Sequence, residues 1–278
     1  MKKNMWIKVL LLVTIALFST SSAINVNASK NDVQGFSYEL LYQQAINAGA
    51  LDPKTKTYTE WLNENENEFY PLFSSGKASG ELDNSITYEY WLQYNNYGQE
   101  PKDNIDFETF DATSRAYKVK PGDIFITNST ASSLFLGHAA IATGTNSILD
   151  MPGLNVGDKN NNNRQLTWAQ WKKAYSKGWI KVYRMKDSKM AAKVAKYADR
   201  NYYSSTGSAT KNIKIPYGID SHRYQKSPNY CSKLVWQAYY YGSGDAKVVV
   251  PGSGIISPYA LPNVTFYKEY GISVVQKY

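Results

Sequence analysis

Thiols and imidazoles are scarce in this chain: its 278 residues include one cysteine, Cys231, and two histidines, His138 and His222. A single thiol forms no intrachain disulfide, and with two imidazoles it completes no four-ligand zinc site unless carboxylates join in. No loop alternates Asp and Asn about a central Gly in the way a calcium site requires. No metal or cofactor is therefore expected. Only 19% of residues are charged, and the formal net charge of +8 is spread along the chain without a clustered Lys/Arg stripe, so nucleic acid is not an expected partner. The longest apolar run, Val9–Phe18, is too short for a comfortable membrane span.

That run follows Lys2, Lys3 and Lys8 and gives way to Ser19-Thr20-Ser21-Ser22-Ala23, the three-part pattern of a secretory signal peptide. Cleavage is expected after Ala28, with Ala23 as the alternative, so residues 1–28 leave and the mature chain has no integral membrane segment. Removal takes three lysines and no acid with it, leaving +5. A secreted, extracellular protein follows from this, with association to the cell wall open. A chain this long can rely on its core without disulfides.

Residues 29–115 read as a helical, polar-aromatic region. Phe36–Ile46 places apolar residues at helical spacing, and Gly49 is its stop. An echo follows, Thr57-Tyr58-Thr59-Glu60-Trp61-Leu62 against Thr87-Tyr88-Glu89-Tyr90-Trp91-Leu92, with Asn65 and Asn95 three positions beyond each copy. Thr57 and Glu60 form a capping box, so both copies are expected to begin helices. Two copies make no solenoid. Trp and Leu at this spacing act as core anchors in preference to a binding module.

Residues 116–278 alternate differently. Pro121-Gly122-Asp123 is a turn, Ile124–Thr127, His138–Gly144 and Ile148–Met151 read as strands, and an Asn-rich loop at 155–163 leads to a helix holding Trp168 and Trp171. Trp179–Met185 reads as a strand, Ser188–Asn201 as a helix, Cys231–Tyr240 as a helix, and Lys247–Val250 and Ile272–Gln276 as closing strands. The fold class is α+β.

Cys231 stands in Ser227-Pro228-Asn229-Tyr230-Cys231-Ser232-Lys233-Leu234-Val235-Trp236, where Ser227 can cap a helix that has Pro228 at its first position. A thiol in a first helical turn faces unpaired backbone N–H groups, which stabilise a thiolate and supply donors for an oxyanion. An inert, packed cysteine is the competing interpretation. A nucleophile needs a base. His222 sits among Ser221, Arg223 and Lys226 and reads as solvated, whereas His138 opens a strand whose face continues through Ala140 and Ala142, small residues that leave room for a cleft. Asp150 is the candidate to orient the imidazole. If 144–146 form a three-residue loop, Ala140 pairs with Asp150 and places His138 and Asp150 as diagonal neighbours on one face; a two-residue loop places them on opposite faces.

These strings resemble the circularly permuted papain-like amidases, the YiiX/YaeF-type relatives of NlpC-type hydrolases. The resemblance rests on Pro121–Ile126, Gly137–Gly144, Asp150, Tyr230–Tyr239 and the Ser-Pro segment within Ile256–Leu261, in that order, over roughly residues 116–265. It implies an antiparallel sheet packed on the cysteine helix, with Cys231 as nucleophile, His138 as general base and acid, and Asp150 as orienting group. It also implies a contributing tyrosine upstream of the cysteine, Tyr217 in preference to Tyr230. Two positions depart from the pattern: Lys233 stands where relatives often carry an acid, and Asp150 where they often carry Glu.

The expected function is a secreted cysteine amidase or peptidase acting through an acyl-enzyme, with a peptide or peptidoglycan-derived substrate. A lipid acyl hydrolase or acyltransferase acting on lipid esters is the second expectation, and a non-catalytic wall-binding protein the third.

Overall fold

The computed structural model describes residues 35–101, 117–129, 135–264 and 266–278. The expected signal segment and the expected domain boundary at 115/116 lie outside the described residues. Ser37–Tyr278 forms one compact unit.

The helical region contains α1 (Tyr38–Asn47), α2 (Tyr58–Glu64), a π-helical turn at Asn65–Phe69, α3 (Tyr70–Ala78) and α4 (Tyr88–Tyr94). Ser37, Thr57 and Thr87 cap α1, α2 and α4 by accepting the backbone N–H three residues on, and Thr57 and Glu60 complete the capping box. The echo is therefore a repeated helix entry. Trp61 and Trp91 are wholly buried, as core anchors should be. Asn65 and Asn95 each donate their carboxamide N–H to the carbonyl four residues back, at 2.7 Å in both copies.

The second region is an antiparallel sheet of β1 (Ile124–Thr127), β2 (His138–Ala142), β3 (Ile148–Asp150), β4 (Arg164–Leu166), β5 (Ile180–Met185) and β6 (Ile272–Lys277), in the order β4-β3-β2-β1-β5-β6. Between them run α5 (Trp168–Ala174), α6 (Ser188–Tyr202), α7 (Cys231–Gly242) and the short α8 (Leu261–Val264). The class is α+β. One buried cluster joins Phe125, Ala140, Ala142, Ile148 and Val182 of the sheet to Trp171 of α5 and to Tyr175 just beyond it. Helix α7 packs on β2 and along α6, whose buried stripe is Ala191, Val194, Ala195, Ala198 and Tyr202.

Two glycines have geometric reasons. Gly122 closes the turn before β1 at φ +84°, where a Cβ would lie 2.6 Å from the Ala191 carbonyl of α6. Gly137 enters β2 at φ +91°, where a Cβ would lie 2.4 Å from the Tyr259 ring. Asp123, after the first of these, receives Nε and Nη2 of Arg184 at 2.7 Å each and the Tyr117 hydroxyl at 2.6 Å, which ties the turn to β5.

Three expectations change. The cysteine helix starts at Cys231 itself, with Tyr230 as its uncapped N-cap, so Ser227 and Pro228 lie outside it. Asn229 pairs with the segment at 216–218, donating its N–H to the Pro216 carbonyl at 3.0 Å and accepting that of Gly218 at 3.1 Å, and this extended pairing prevents an earlier helical turn. Lys247–Val250 is not a strand: Val249 makes a single bridge to Phe266. Between the Asn-rich loop and α5, where the sequence indicates no element, the chain forms strand β4.

Candidate functional site

The site grows from one strand register. Ala140 pairs with Asp150, Ile141 with Leu149 and Ala142 with Ile148, and Thr143 donates its N–H to the Ser147 carbonyl at 2.8 Å. The connection is thus the three-residue loop at 144–146, and His138 and Asp150 share a face. Nε2 of His138 lies 3.0 Å from Oδ2 of Asp150, with both side chains wholly buried. The shorter Asp therefore reaches the imidazole.

Asp150 is gripped by more groups than the sequence indicated. Its Oδ2 also accepts the Trp171 Nε1–H at 3.2 Å and the Tyr175 hydroxyl at 3.0 Å, and Arg164 of β4 donates Nε to Oδ1 at 2.8 Å and Nη2 to Oδ2 at 3.3 Å. Tyr175 lies against the imidazole, with centroids 4.6 Å apart and planes 18° from parallel. The room expected beside Ala140 and Ala142 is taken by Trp171 and Tyr175, which pack with them in one buried cluster. Arg164, Trp171 and Tyr175 carry no local signal of this role. Tyr175 is 25 residues from Asp150, and only the fold brings them together.

The two buried partners shift each other's charge. Burial works against the imidazolium of His138, but the Asp150 hydrogen bond and the neighbouring Cys231 outweigh it and lift its pKa to about 9. Burial likewise disfavours the Asp150 carboxylate, and His138 with Arg164 outweighs that, holding it at about 2. With Nε2 on Asp150, the other ring nitrogen, Nδ1, is buried without a hydrogen-bond partner among the described residues.

Cys231 is buried at the first position of α7, where helical N–H groups have no intrahelical acceptors. Tyr217 is also buried, its hydroxyl has no hydrogen-bond partner among the described residues, and burial with Cys231 close by raises its pKa well above the ordinary value. It therefore remains a proton donor. Tyr230 is already engaged, since its hydroxyl accepts the Ile256 N–H at 3.0 Å. Lys233 is buried within the first turn of α7, where its Nζ meets Asp220 at 2.8 Å and the Pro228 carbonyl at 2.9 Å. His222 is exposed, its ring 3.7 Å from Asp220, and takes no part.

The Asn-rich loop links both sides. Asn163 donates to the Tyr202 and Ile213 carbonyls and accepts the Ile215 N–H, Lys159 accepts the Tyr217 N–H at 2.7 Å, and the same segment ends in Arg164. Among the described residues no His, Cys, Asp or Glu grouping fits a metal ion, and no helix is long and apolar enough to cross a membrane.

A sheet that presents a buried imidazole–carboxylate pair, with the chain's one thiol opening the helix packed upon it, defines an α+β protein built around a cysteine and a histidine. The family model described as "Lipoprotein N-acylation protein LnsA-like" matches residues 92–278, and the chain belongs to that family. It is 47% identical over 247 residues to an "Uncharacterized 30.3 kDa protein" of Bacillus thuringiensis, covering 87% of this chain and 89% of the relative. No solved structure matches the chain. The family's description points to lipid acyl chemistry, the second of the sequence expectations, ahead of peptide cleavage.

Proposed function

We propose that the chain is a thiol-dependent acyltransferase that takes an acyl group from a lipid ester onto Cys231 and passes it to an amine. The observation that carries this is the unpartnered Nδ1 of His138, whose other nitrogen is fixed on Asp150 and whose charge responds to Cys231.

In the first half, the thiol proton passes to Nδ1 while the sulfur forms a bond to the ester carbonyl carbon. The tetrahedral oxyanion is met by N–H groups of the first turn of α7 and by the Tyr217 hydroxyl. The carbon–oxygen bond then breaks, Nδ1–H protonates the departing alkoxide, and a thioester remains. In the second half an amine attacks the thioester, its proton goes to Nδ1, the carbon–sulfur bond breaks, and the proton returns to sulfur. Asp150 keeps the imidazole in the tautomer and orientation both halves need.

The family's description, lipoprotein N-acylation, supports the amino group of a lipoprotein as the acceptor. Burial supports transfer over hydrolysis: Cys231 is 1% and His138 0% exposed, and a site that excludes water protects a thioester from it.

The test is to incubate the protein with phospholipid vesicles and to weigh it. A hydroxylamine-labile acyl mass on wild type, absent from Cys231→Ala and discharged by an amine-bearing lipopeptide, is expected. No acyl mass under these conditions, with faster cleavage of peptide amides, would return the site to the amidase reading.

A further inference from the structure

We infer that Arg164, reaching in from the edge strand β4, is the positioning residue that locks the Asp150 carboxylate onto His138 and balances its charge. The inference rests on the Cys231–His138 reading above and assigns a role to a residue outside it.

The hydrogen bonds of Asp150 divide by oxygen. His138, Trp171 and Tyr175 all address Oδ2, while Nε of Arg164 holds Oδ1 at 2.8 Å and its Nη2 reaches across to Oδ2 at 3.3 Å. The guanidinium fork therefore fixes the rotation of the carboxylate, and the other donors alone would not. Nη2 also donates to the Tyr175 hydroxyl at 3.3 Å, so the ring stacked on the imidazole is tied to the same group. Register explains the reach, since Arg164 pairs directly with Asp150 across β3 and β4.

Charge gives the second argument. The titratable or charged groups facing Asp150 are His138 from β2, Arg164 from β4 and Tyr175 from the end of α5, with Cys231 of α7 beyond the imidazole. With a neutral thiol and imidazole, Asp150 and Arg164 cancel. With a thiolate and an imidazolium, the four charges again sum to zero. Proton transfer from Cys231 to His138 thus takes place beside a buried carboxylate whose charge the partly exposed Arg164 offsets. Without Arg164 the set carries an uncompensated negative charge, which disfavours a second anion on Cys231. The carboxylate also loses the fork that keeps it aimed at the imidazole.

The experiment follows the rate at which iodoacetamide alkylates Cys231 as a function of pH in the folded full-length protein, where no second thiol interferes. Wild type is compared with Arg164→Gln, Arg164→Lys and His138→Ala. The midpoint of the acid limb should shift upward in Arg164→Gln, because a cation that offsets the negative charge beside the thiol–imidazole pair has been removed. Arg164→Lys should return the midpoint to the wild-type position, because it restores the charge, with a lower plateau rate, because it lacks the fork. A folded Arg164→Gln protein whose profile superimposes on wild type overturns the inference, as does a shifted midpoint that Lys leaves uncorrected. His138→Ala separates this from the underlying reading: if its profile matches wild type, the thiol–imidazole reading itself fails. If Arg164→Gln does not fold, the double variant Asp150→Asn/Arg164→Gln decides. Its folding identifies the uncompensated carboxylate as the fault, and its failure to fold overturns the assignment.

Discussion

The ring of Tyr175 lies parallel to the imidazole of His138 at 4.6 Å while its hydroxyl donates to the carboxylate that holds that imidazole. One side chain therefore sets both the plane and the partner of the histidine. Tyr175→Phe keeps the stacking and deletes one donor from a buried carboxylate, which costs about 1–3 kcal/mol. Tyr175→Ala removes the ring as well and costs about 3–5 kcal/mol. Urea unfolding distinguishes the two, and equal losses would show that the hydroxyl, not the ring, carries the contribution.

The pairing of His138 with Asp150 makes stability depend on pH in a defined direction. Burial opposes the charged form of each, but their mutual interaction, helped by Cys231 at the histidine and Arg164 at the aspartate, outweighs it, raising His138 from 6.5 to about 9 and lowering Asp150 from 3.8 to about 2. The histidine's contribution is complete below its unfolded value and is lost as pH rises through about 9. The aspartate's contribution is complete above its unfolded value and is lost as pH falls toward 2. The stability difference between wild type and Asp150→Asn should thus be largest between about pH 4 and 6.5 and shrink on both sides. In NMR titrations His138, assigned against exposed His222, should change charge well above 6.5 in wild type and at a lower pH in Asp150→Asn, where burial is opposed by Cys231 alone. A wild-type His138 that titrates below 6.5 would contradict the pairing.

Gly137 is the entry to the histidine strand, and its φ of +91° with a Cβ position 2.4 Å from the Tyr259 ring leaves no room for a side chain. Gly137→Ala should destabilise the fold by more than about 1 kcal/mol, because the backbone must leave the left-handed region or displace the ring. Gly144→Ala, where the nearest atoms lie 3.8 Å away on Ser147 and φ is not positive, is the control that should cost far less. Comparable thermal midpoints for the two would refute this.

The register that joins His138 to Asp150 was legible because strand side chains alternate with period two, so loop length alone decides whether they share a face. The strand β4 was not legible. Arg-Gln-Leu after a run of asparagines has no alternation of its own, and Arg164–Leu166 is a strand only because β3 lies beside it. Trp171 reads as helical in the sequence and lies on α5, but its contact with Asp150 spans 21 residues of sequence and depends on how α5 packs. The same holds for the start of α7. Proline suits a first helical position, yet the backbone pairing of Asn229 with 216–218 overrides that local preference.

Lys233, the departure from the resembling pattern, is resolved as half of an internal ion pair. Its Nζ lies 2.8 Å from Asp220, with side-chain exposures of 0% and 12%. Lys233→Met should cost about 3–5 kcal/mol, because it strands the carboxylate. The double variant Lys233→Met/Asp220→Asn should recover most of that loss. A double variant as unstable as the single one would show that packing of the lysine stem, and not its charge, is what α7 needs.

Asn65 and Asn95 occupy equivalent places in the echoed helices and bind different things. Both donate to the carbonyl four residues back, but Asn65 accepts the Tyr88 hydroxyl at 2.7 Å, within the helical region, and Asn95 accepts the backbone N–H of Leu136 at 3.0 Å. Leu136 stands two residues before His138, so the second copy of the echo holds the chain as it enters the histidine strand. The contact is reinforced nearby, where the Ser257 hydroxyl donates to the Tyr94 carbonyl. Asn65→Ala and Asn95→Ala should each lose about 1–3 kcal/mol of stability by leaving buried polar groups unpaired. Only Asn95→Ala should also slow alkylation of Cys231 in the folded protein, because only it loosens the segment that places the imidazole. Stability comes from urea unfolding and reactivity from timed iodoacetamide labelling read by mass. If both variants lose reactivity in proportion to stability, the helical region supports the fold as a whole; a loss confined to Asn95→Ala assigns that support to the site.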